Sequence, residues 1–235
     1  MKKQLYLLVT ALIVSAAFVA CDKENGGNNG NGNNSGNNNG NNDINTLVIN
    51  ATNVICLNPE YEDDSNVATV KAFARGFEVV SSPYQNKGFT LNLSKTVPEQ
   101  YLQYILIHFW DYYYYDIPAH FVSDRNSKCG ILDISAFDNS DKVNGLFTLR
   151  ERKQVEDEYY EYFRDYIRAY YIYADRDFTI KGFDNPNQYD CSFKKGWNIV
   201  YLLWHNDYSH YPDIMTTTKP ANSNLKWYYS ENYYE

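Results

Sequence analysis

Alternation of apolar and polar side chains is the clearest pattern along the chain. Residues 89–94 carry three apolar side chains that alternate with three polar ones, which predicts a strand with one buried face. Residues 189–194 repeat this pattern, and a Lys-Gly turn then leads into the apolar run 197–204, so a hairpin is predicted there. Similar patterns predict further strands near residues 46–56, 67–75, 77–82, 102–110, 131–137, 145–151, 166–174, 177–183 and 225–229.

The number and spacing of these segments predict an all-β domain over residues 43–235, an antiparallel β-sandwich of the Ig or transthyretin-like kind. Its six glycines lie at borders between apolar and polar runs and are interpreted as turn residues. Tyrosines at helical spacing leave a short helix at 154–165 as one alternative. We favour a polar hairpin tip there, followed by a strand over 166–174.

Composition supports strands and excludes one class of partner. Aromatic residues make up 17% of the 235 residues, and 24 of them are tyrosine, a residue that packs well on pleated sheets. The formal net charge is −8. Without residues 1–42, which hold three lysines and two acidic residues, 18 basic and 27 acidic side chains remain. This acidic balance opposes a phosphate backbone, so no nucleic-acid partner is expected.

The N-terminus carries an export signal. Two lysines precede the uncharged residues 5–20, a stretch too short to span a bilayer comfortably, which predicts a signal peptide over residues 1–20. The stretch ends in Phe18-Val19-Ala20-Cys21, which resembles the lipobox of bacterial lipoproteins, whose cysteine receives a diacylglyceryl group. This resemblance implies lipid attachment, including palmitate, at Cys21 and hence a membrane anchor without a transmembrane helix.

A polar tether follows the lipidated cysteine over residues 21–42. Asn25–Asn42 consists of 11 Asn, 6 Gly and 1 Ser, with no apolar side chain that could offset the entropy of ordering. We therefore expect a disordered segment that spans roughly 20–25 Å as a random coil.

The lipobox, the tether and the β-rich body together resemble Bacteroidota-type outer-membrane and surface lipoproteins, uncharacterised in activity. The resemblance in the body is carried by Val67–Ala72 with Tyr84–Leu93, Tyr171–Gly182, Lys194–Tyr201 and Thr216–Tyr228. It implies an outer-membrane location, with surface exposure favoured over a periplasmic position because Asp22 and Glu24 follow the cysteine. It brings no catalytic residue. The segment around Phe89 is also similar to transthyretin-like sandwiches.

Three groups of residues are candidates for chemistry, and solvated turns are the preferred interpretation of all three. His205, Asp207 and His210 begin a metal-like pattern without a second cluster. The acidic runs 60–64 and 138–141 lack the spacing of a calcium loop. No Gly-x-Ser-x-Gly, Cys-x-x-Cys or glycine-rich phosphate loop occurs. We expect no enzyme activity, no metal and no cofactor.

Three cysteines remain when Cys21 carries lipid, so at most one intramolecular disulfide can form. Cys191 alternates with Tyr189 and Phe193 and is expected in the core. A Cys56–Cys129 bridge and three free thiols both remain open.

An aromatic run is the one positive indication of function. It comprises Trp110, Tyr112, Tyr113, Tyr114 and Tyr115 at the end of a predicted strand, where alternation exposes about half of the side chains. Exposed Tyr and Trp rings suit the apolar faces of sugars and suit protein partners equally, although core packing is the alternative. The expected function is a non-catalytic binding module for a glycan or a protein. The alternative is a structural subunit of a fimbrial or surface assembly.

Overall fold

Fourteen strands and three short 3-10 helices make up the part of the chain that the computed structural model describes. This part comprises residues 45–57, 63–105, 117–156, 161–185, 187–204 and 214–231, without the side chains of 154–156 and 161–164. No α-helix occurs among these residues, so the all-β prediction is confirmed. The strands are β1 (Leu47–Ala51), β2 (Ile55–Cys56), β3 (Thr69–Ala74), β4 (Phe77–Pro83), β5 (Phe89–Leu93), β6 (Gln103–Tyr104), β7 (Lys128–Phe137), β8 (Val143–Glu156), β9 (Glu161–Ala174), β10 (Phe178–Asp184), β11 (Asn187–Phe193), β12 (Gly196–Leu203), β13 (Ile214–Thr216) and β14 (Lys226–Ser230). The 3-10 helices are Asp64–Asn66, Glu99–Tyr101 and Ala119–Phe121.

A small sheet and a large sheet share the first hydrophobic core, which makes the fold sandwich-like. β1 and β5 pair antiparallel as a two-stranded sheet, and the other twelve strands form one sheet. In β5 the predicted alternation holds, since Phe89, Leu91 and Leu93 are buried while Thr90 and Asn92 are exposed. These buried residues join one face of the large sheet in the first core. Nearly all pairings are antiparallel, and the exceptions are β11 with β13 and β14 with β2.

The second core lies on the opposite face of β9 and β12. Ile172 of β9 and Leu202 of β12 belong to it, together with apolar residues of β10 and β11. Three residues of the connection between β6 and β7 complete this core, namely Ile105, Ile117 and Val122. The second core therefore depends on the long connection between β6 and β7.

The large sheet contains a three-way junction of β7, β8 and β9. One edge of β7 pairs first with β9, up to Ile131 opposite Ile172, and later with β8, from Ser135 opposite Leu146. β8 and β9 also pair with each other, starting at Leu149 opposite Ala169. All three pairings are antiparallel, which three straight strands cannot satisfy together. β8 and β9 therefore turn away from β7 at the junction and continue as a long hairpin.

The predicted hairpin between residues 189–194 and 197–204 is wrong in its pairing. Both segments are strands, β11 and β12, and a short turn connects them, but β13 lies between them in the sheet. Near the turn, the Asn198 side chain replaces some of the backbone hydrogen bonds that a β11–β12 hairpin would form. Its Oδ1 accepts from the Lys194 N–H at 2.9 Å, and its Nδ2 donates to the carbonyls of Lys194 and Gly196.

Several local predictions can be checked directly. A strand covers 166–174 as predicted, and β9 begins five residues earlier; the tip at 157–160 lies outside the described residues. Cys56, Cys129 and Cys191 form no disulfide with one another, and Cys191 belongs to the second core as expected. The turn interpretation of the six glycines is wrong for Gly130, Gly145 and Gly182, which lie inside β7, β8 and β10.

Candidate functional site

The residues singled out by sequence pattern lie mostly outside the described part of the chain. This holds for Cys21, for Trp110 and Tyr112–Tyr115, and for the histidine loop 205–210. The described residues on either side of the aromatic run are informative, because Ile105 and Ile117 are both buried in the second core. The described residues nearest to the aromatic run therefore lie on the face of β9 that carries the second core.

On this same face, three polar side chains surround the three-way junction. Continuing the β7–β9 ladder by two residues brings Asp133 opposite Tyr170, and continuing the β7–β8 ladder brings Asp133 opposite Thr148. The β8–β9 ladder, continued by one residue, brings Thr148 opposite Tyr170. Their chain neighbours Leu132, Ile134, Phe147 and Tyr171 all face the first core. We call Asp133, Thr148 and Tyr170 the junction triad.

Asp133 is the unusual member of the junction triad. Its residue is exposed, and its carboxylate forms no hydrogen bond or ion pair with any described residue. Desolvation by the surrounding protein nevertheless raises the pKa of Asp133. The Asp133 carboxylate is therefore both open to solvent and partly surrounded by protein atoms. A carboxylate placed this way is available to accept hydrogen bonds from a ligand.

An arginine cluster adjoins the junction triad along the β8–β9 hairpin. Arg150, Arg152 and Arg168 all lie within ion-pair distance of Asp165, with 3.1 Å between Arg150 Nη1 and Asp165 Oδ2. A bulge between Glu151 and Arg152 brings this carboxylate to the face of the arginines. The Arg150 Nε also donates to the Thr148 hydroxyl at 2.8 Å, which links the cluster to the junction triad.

Burial makes the charge of Arg150 costly. Only 8% of its side chain is exposed. Desolvation, followed by the nearby charge of Arg168, lowers the pKa of Arg150. A guanidinium stays protonated under such conditions, so the positive charge is held in a partly dehydrated place where an anion interacts strongly with it.

Aromatic rings accompany these charges. The Arg152 guanidinium lies 5.9 Å from the centre of the Tyr228 ring, and the Lys153 ammonium lies 3.3 Å from that of Tyr166. Tyr228, Tyr166 and Tyr170 are all partly exposed. Partly exposed tyrosines beside charged donors are a common composition of sites for polar ligands, since the ring packs and the charges fix orientation.

The acidic runs are structural turns where they are described. Asp138 Oδ1 accepts from the N–H and the hydroxyl of Ser140 and from the N–H of Lys142, while Asp141 pairs with Lys71 at 2.5 Å. Asp64 accepts from the Tyr84 hydroxyl at 2.5 Å. Within the described residues, no group of three or more His, Cys, Asp or Glu side chains is placed to hold a metal ion.

Sequence reasoning missed the junction triad and the arginine cluster. The sequence does show arginines alternating on the predicted strand 145–151 and just beyond it. This alternation predicts that one strand has a polar face. It does not predict that Arg150 lies opposite Arg168, because that register depends on the bulge and on the β8–β9 pairing. The junction of β7, β8 and β9 at Asp133 could not be predicted from a local sequence pattern, because it depends on the pairing of three separate strands.

Comparison of the chain with protein-family models, with curated proteins and with solved structures found no significant match. Among the described residues, no helix has the length and apolar character needed to cross a bilayer.

Proposed function

We propose that this protein is a lipid-anchored, surface-facing module of the outer membrane that binds a glycan or a protein and performs no chemistry. The anchor in this proposal is the lipid on Cys21, held at a distance by the Asn25–Asn42 tether. The contact residues are Trp110 and Tyr112–Tyr115, together with the junction triad. The resemblance to outer-membrane lipoproteins supports the location.

The observation that carries the binding proposal is the Asp133 carboxylate at the three-way junction, which has no hydrogen-bond or ion-pair partner among the described residues. A desolvated carboxylate without a partner lowers stability, which a binding surface tolerates because the ligand supplies the missing hydrogen bonds. Thr148 and Tyr170 add a hydroxyl and a partly exposed ring on the same face. Ile105 and Ile117, the nearest described residues on either side of the aromatic run, pack in the second core on that face.

Glycan-array and pull-down measurements with the full-length protein test this proposal. We expect Tyr113→Ala with Tyr115→Ala to weaken the interactions detected with the native protein by at least tenfold, because Tyr truncation at a binding centre costs about 2 kcal/mol or more. Phe183→Ala is the control, because Phe183 is an aromatic residue of β10 that is 65% exposed and belongs neither to the aromatic run nor to the junction triad. If the double variant keeps every interaction, the aromatic run is not the contact surface.

A further inference from the structure

Three cations lie side by side across β14, β8 and β9. Lys226 is the register partner of Arg150, and Arg150 is the register partner of Arg168. Register partners share a sheet face, and like charges directly opposite each other destabilise a sheet. We call Lys226, Arg150 and Arg168 the cationic row. It occurs in a domain whose acidic side chains outnumber the basic ones by nine, so it is not a consequence of composition.

The two ends of the cationic row differ in their ion pairing. Arg150 and Arg168 both contact Asp165, a carboxylate that Arg152 also contacts. Lys226 is exposed and forms no ion pair with any described residue. An anion beside Lys226 and Arg150 would relieve the repulsion between register partners and would meet one accessible ammonium and one buried guanidinium.

The surroundings of the cationic row favour a sugar as the carrier of that anion. Tyr228 follows Lys226 by two residues on the same face of β14 and is partly exposed, and it pairs in register with Thr148 of the junction triad. A tyrosine ring packs against the apolar face of a pyranose, while the Thr148 hydroxyl and the Asp133 carboxylate suit its hydroxyl groups. An acidic peptide would use the charges but would leave this combination of ring, hydroxyl and carboxylate without a specific role.

We propose that the face formed by the cationic row, Tyr228 and the junction triad binds an acidic polysaccharide, through a carboxylate or sulfate group at Lys226 and Arg150. This inference rests on the proposed binding function and adds the chemical class of the ligand. The anionic group accepts hydrogen bonds from the exposed Lys226 ammonium and is attracted by the nearby charge of the buried Arg150 guanidinium, and the adjoining sugar ring packs on Tyr228.

Two pairs of polymers test the inference with the full-length protein purified in detergent. The probes are polygalacturonate with its methyl ester, and dextran sulfate with dextran, so that each pair differs only in charge. We expect binding of the charged member of at least one pair and not of its neutral partner, with an affinity that falls as NaCl is raised. Polyglutamate serves as the acidic polypeptide and should bind at least tenfold more weakly.

Variants of Lys226 link any such binding to this face. Lys226→Gln should lower the affinity for the charged polymer roughly three- to tenfold, as expected for the loss of one charge-assisted contact. Lys226→Glu should lower this affinity further. Lys95→Gln is the matched control, because Lys95 is exposed after β5 beside the first core. Both variants relieve the repulsion between Lys226 and Arg150, so a melting temperature equal to or above that of the native protein should accompany these losses.

The other outcomes separate this inference from the proposed function. Equal binding of the charged and neutral polymers overturns the inference that the ligand is acidic. It remains consistent with the proposed binding of a glycan. If polyglutamate binds as tightly as the acidic polysaccharides, the ligand need not be a sugar. This result overturns the inference and favours an acidic protein partner. Unchanged binding by both Lys226 variants, or binding of none of the polymers, overturns the inference, and the glycan-array and pull-down measurements then decide the proposed function independently.

Discussion

Asp133 shows at the scale of one residue how a binding surface lowers the stability of a fold. Its carboxylate is desolvated at the three-way junction and has no described partner. Asp138 is the opposite case, because hydrogen bonds from the Lys142 N–H and from Ser140 lower its pKa. The two carboxylates therefore contribute to stability with opposite signs as the pH changes.

We predict that Asp133→Asn raises the melting temperature at neutral pH. The pKa of Asp133 is higher in the folded state than in the unfolded state, so the folded state binds the proton more tightly. The free energy of unfolding therefore falls as the pH rises through the unfolded pKa and then through the folded pKa. The asparagine removes this loss, and the gain should vanish below about pH 4, where both states of the native aspartate are protonated. Thermal unfolding at a series of pH values measures the effect.

Asp138→Asn is the control with the opposite sign. The stabilisation from Asp138 is present above the unfolded pKa and is lost as the pH falls through the lowered folded pKa, so this variant should melt earlier at neutral pH. A lower melting temperature of Asp133→Asn at pH 7 would mean that the Asp133 carboxylate has a native partner.

At the scale of strands, Asn198 allows two neighbouring segments to separate. β13 occupies the position that β12 would take beside β11 in a simple hairpin. The peptide groups near the turn therefore lack the hydrogen bonds that a β11–β12 hairpin would give them. The buried Asn198 side chain forms hydrogen bonds with the backbone of Lys194 and Gly196 instead. A side-chain amide has both a donor and an acceptor, as a peptide group has, which explains why asparagine suits this position.

We predict that Asn198→Ala destabilises the protein by about 1–3 kcal/mol, because the buried carbonyl of Gly196 loses its donor and the partly buried N–H of Lys194 loses its acceptor. Asn198→Asp should also destabilise, since a carboxylate keeps the acceptor but loses the donor to the two carbonyls. Urea unfolding gives these free energies. The control is Asn50→Ala on the exposed face of β1, where a change below about 0.5 kcal/mol is expected. Equal effects at the two sites would assign no structural role to Asn198.

Local alternation predicted the strands well because it reports the burial of single side chains. β5 and β11 follow the expected pattern of buried and exposed residues without exception. Pairing was predicted less well, because it depends on elements distant in sequence. β13 has only three residues, too few for a pattern, yet its insertion alters the sheet order around β11 and β12.

Glycine positions illustrate the same limit. Gly182 lies inside β10, where a Cβ atom would be 2.2 Å from the Phe121 ring, so a contact from a distant segment explains the residue. Gly145 is likewise inside β8, against the carbonyl oxygen of Ser230. Sequence pattern alone favours turns at both positions, since the approach of another chain segment leaves no local signal. The junction triad escaped prediction for the same reason.

At the scale of the whole molecule, charge and anchoring act together. The domain is acidic overall, which keeps it soluble beside other acidic surfaces, while the cationic row concentrates positive charge on one part of β8, β9 and β14. In the proposed function, the Asn25–Asn42 tether would let this face sample many orientations at an effective concentration set by the tether length. Attachment and recognition are therefore separable properties in the proposed function.

The anchor can be tested by removing its one acceptor thiol. We predict that Cys21→Ser abolishes fatty-acid labelling and removes the protein from the outer-membrane fraction, because lipid transfer needs that sulfur and two acyl chains provide the lasting attachment. Labelling with a fatty-acid analogue and membrane fractionation measure both effects.

Two matched changes show that such a loss is specific. Cys56→Ser alters a half-buried thiol in the folded part and should leave labelling intact. Deletion of Asn25–Asn42 should preserve lipidation and folding while bringing the domain close to the membrane, so antibody and protease reach it less readily. If the Cys21→Ser protein still fractionates with the outer membrane and the native protein incorporates no label, attachment does not involve a lipid on Cys21. The recognition face on β8, β9 and β14 would then need another route to the cell surface.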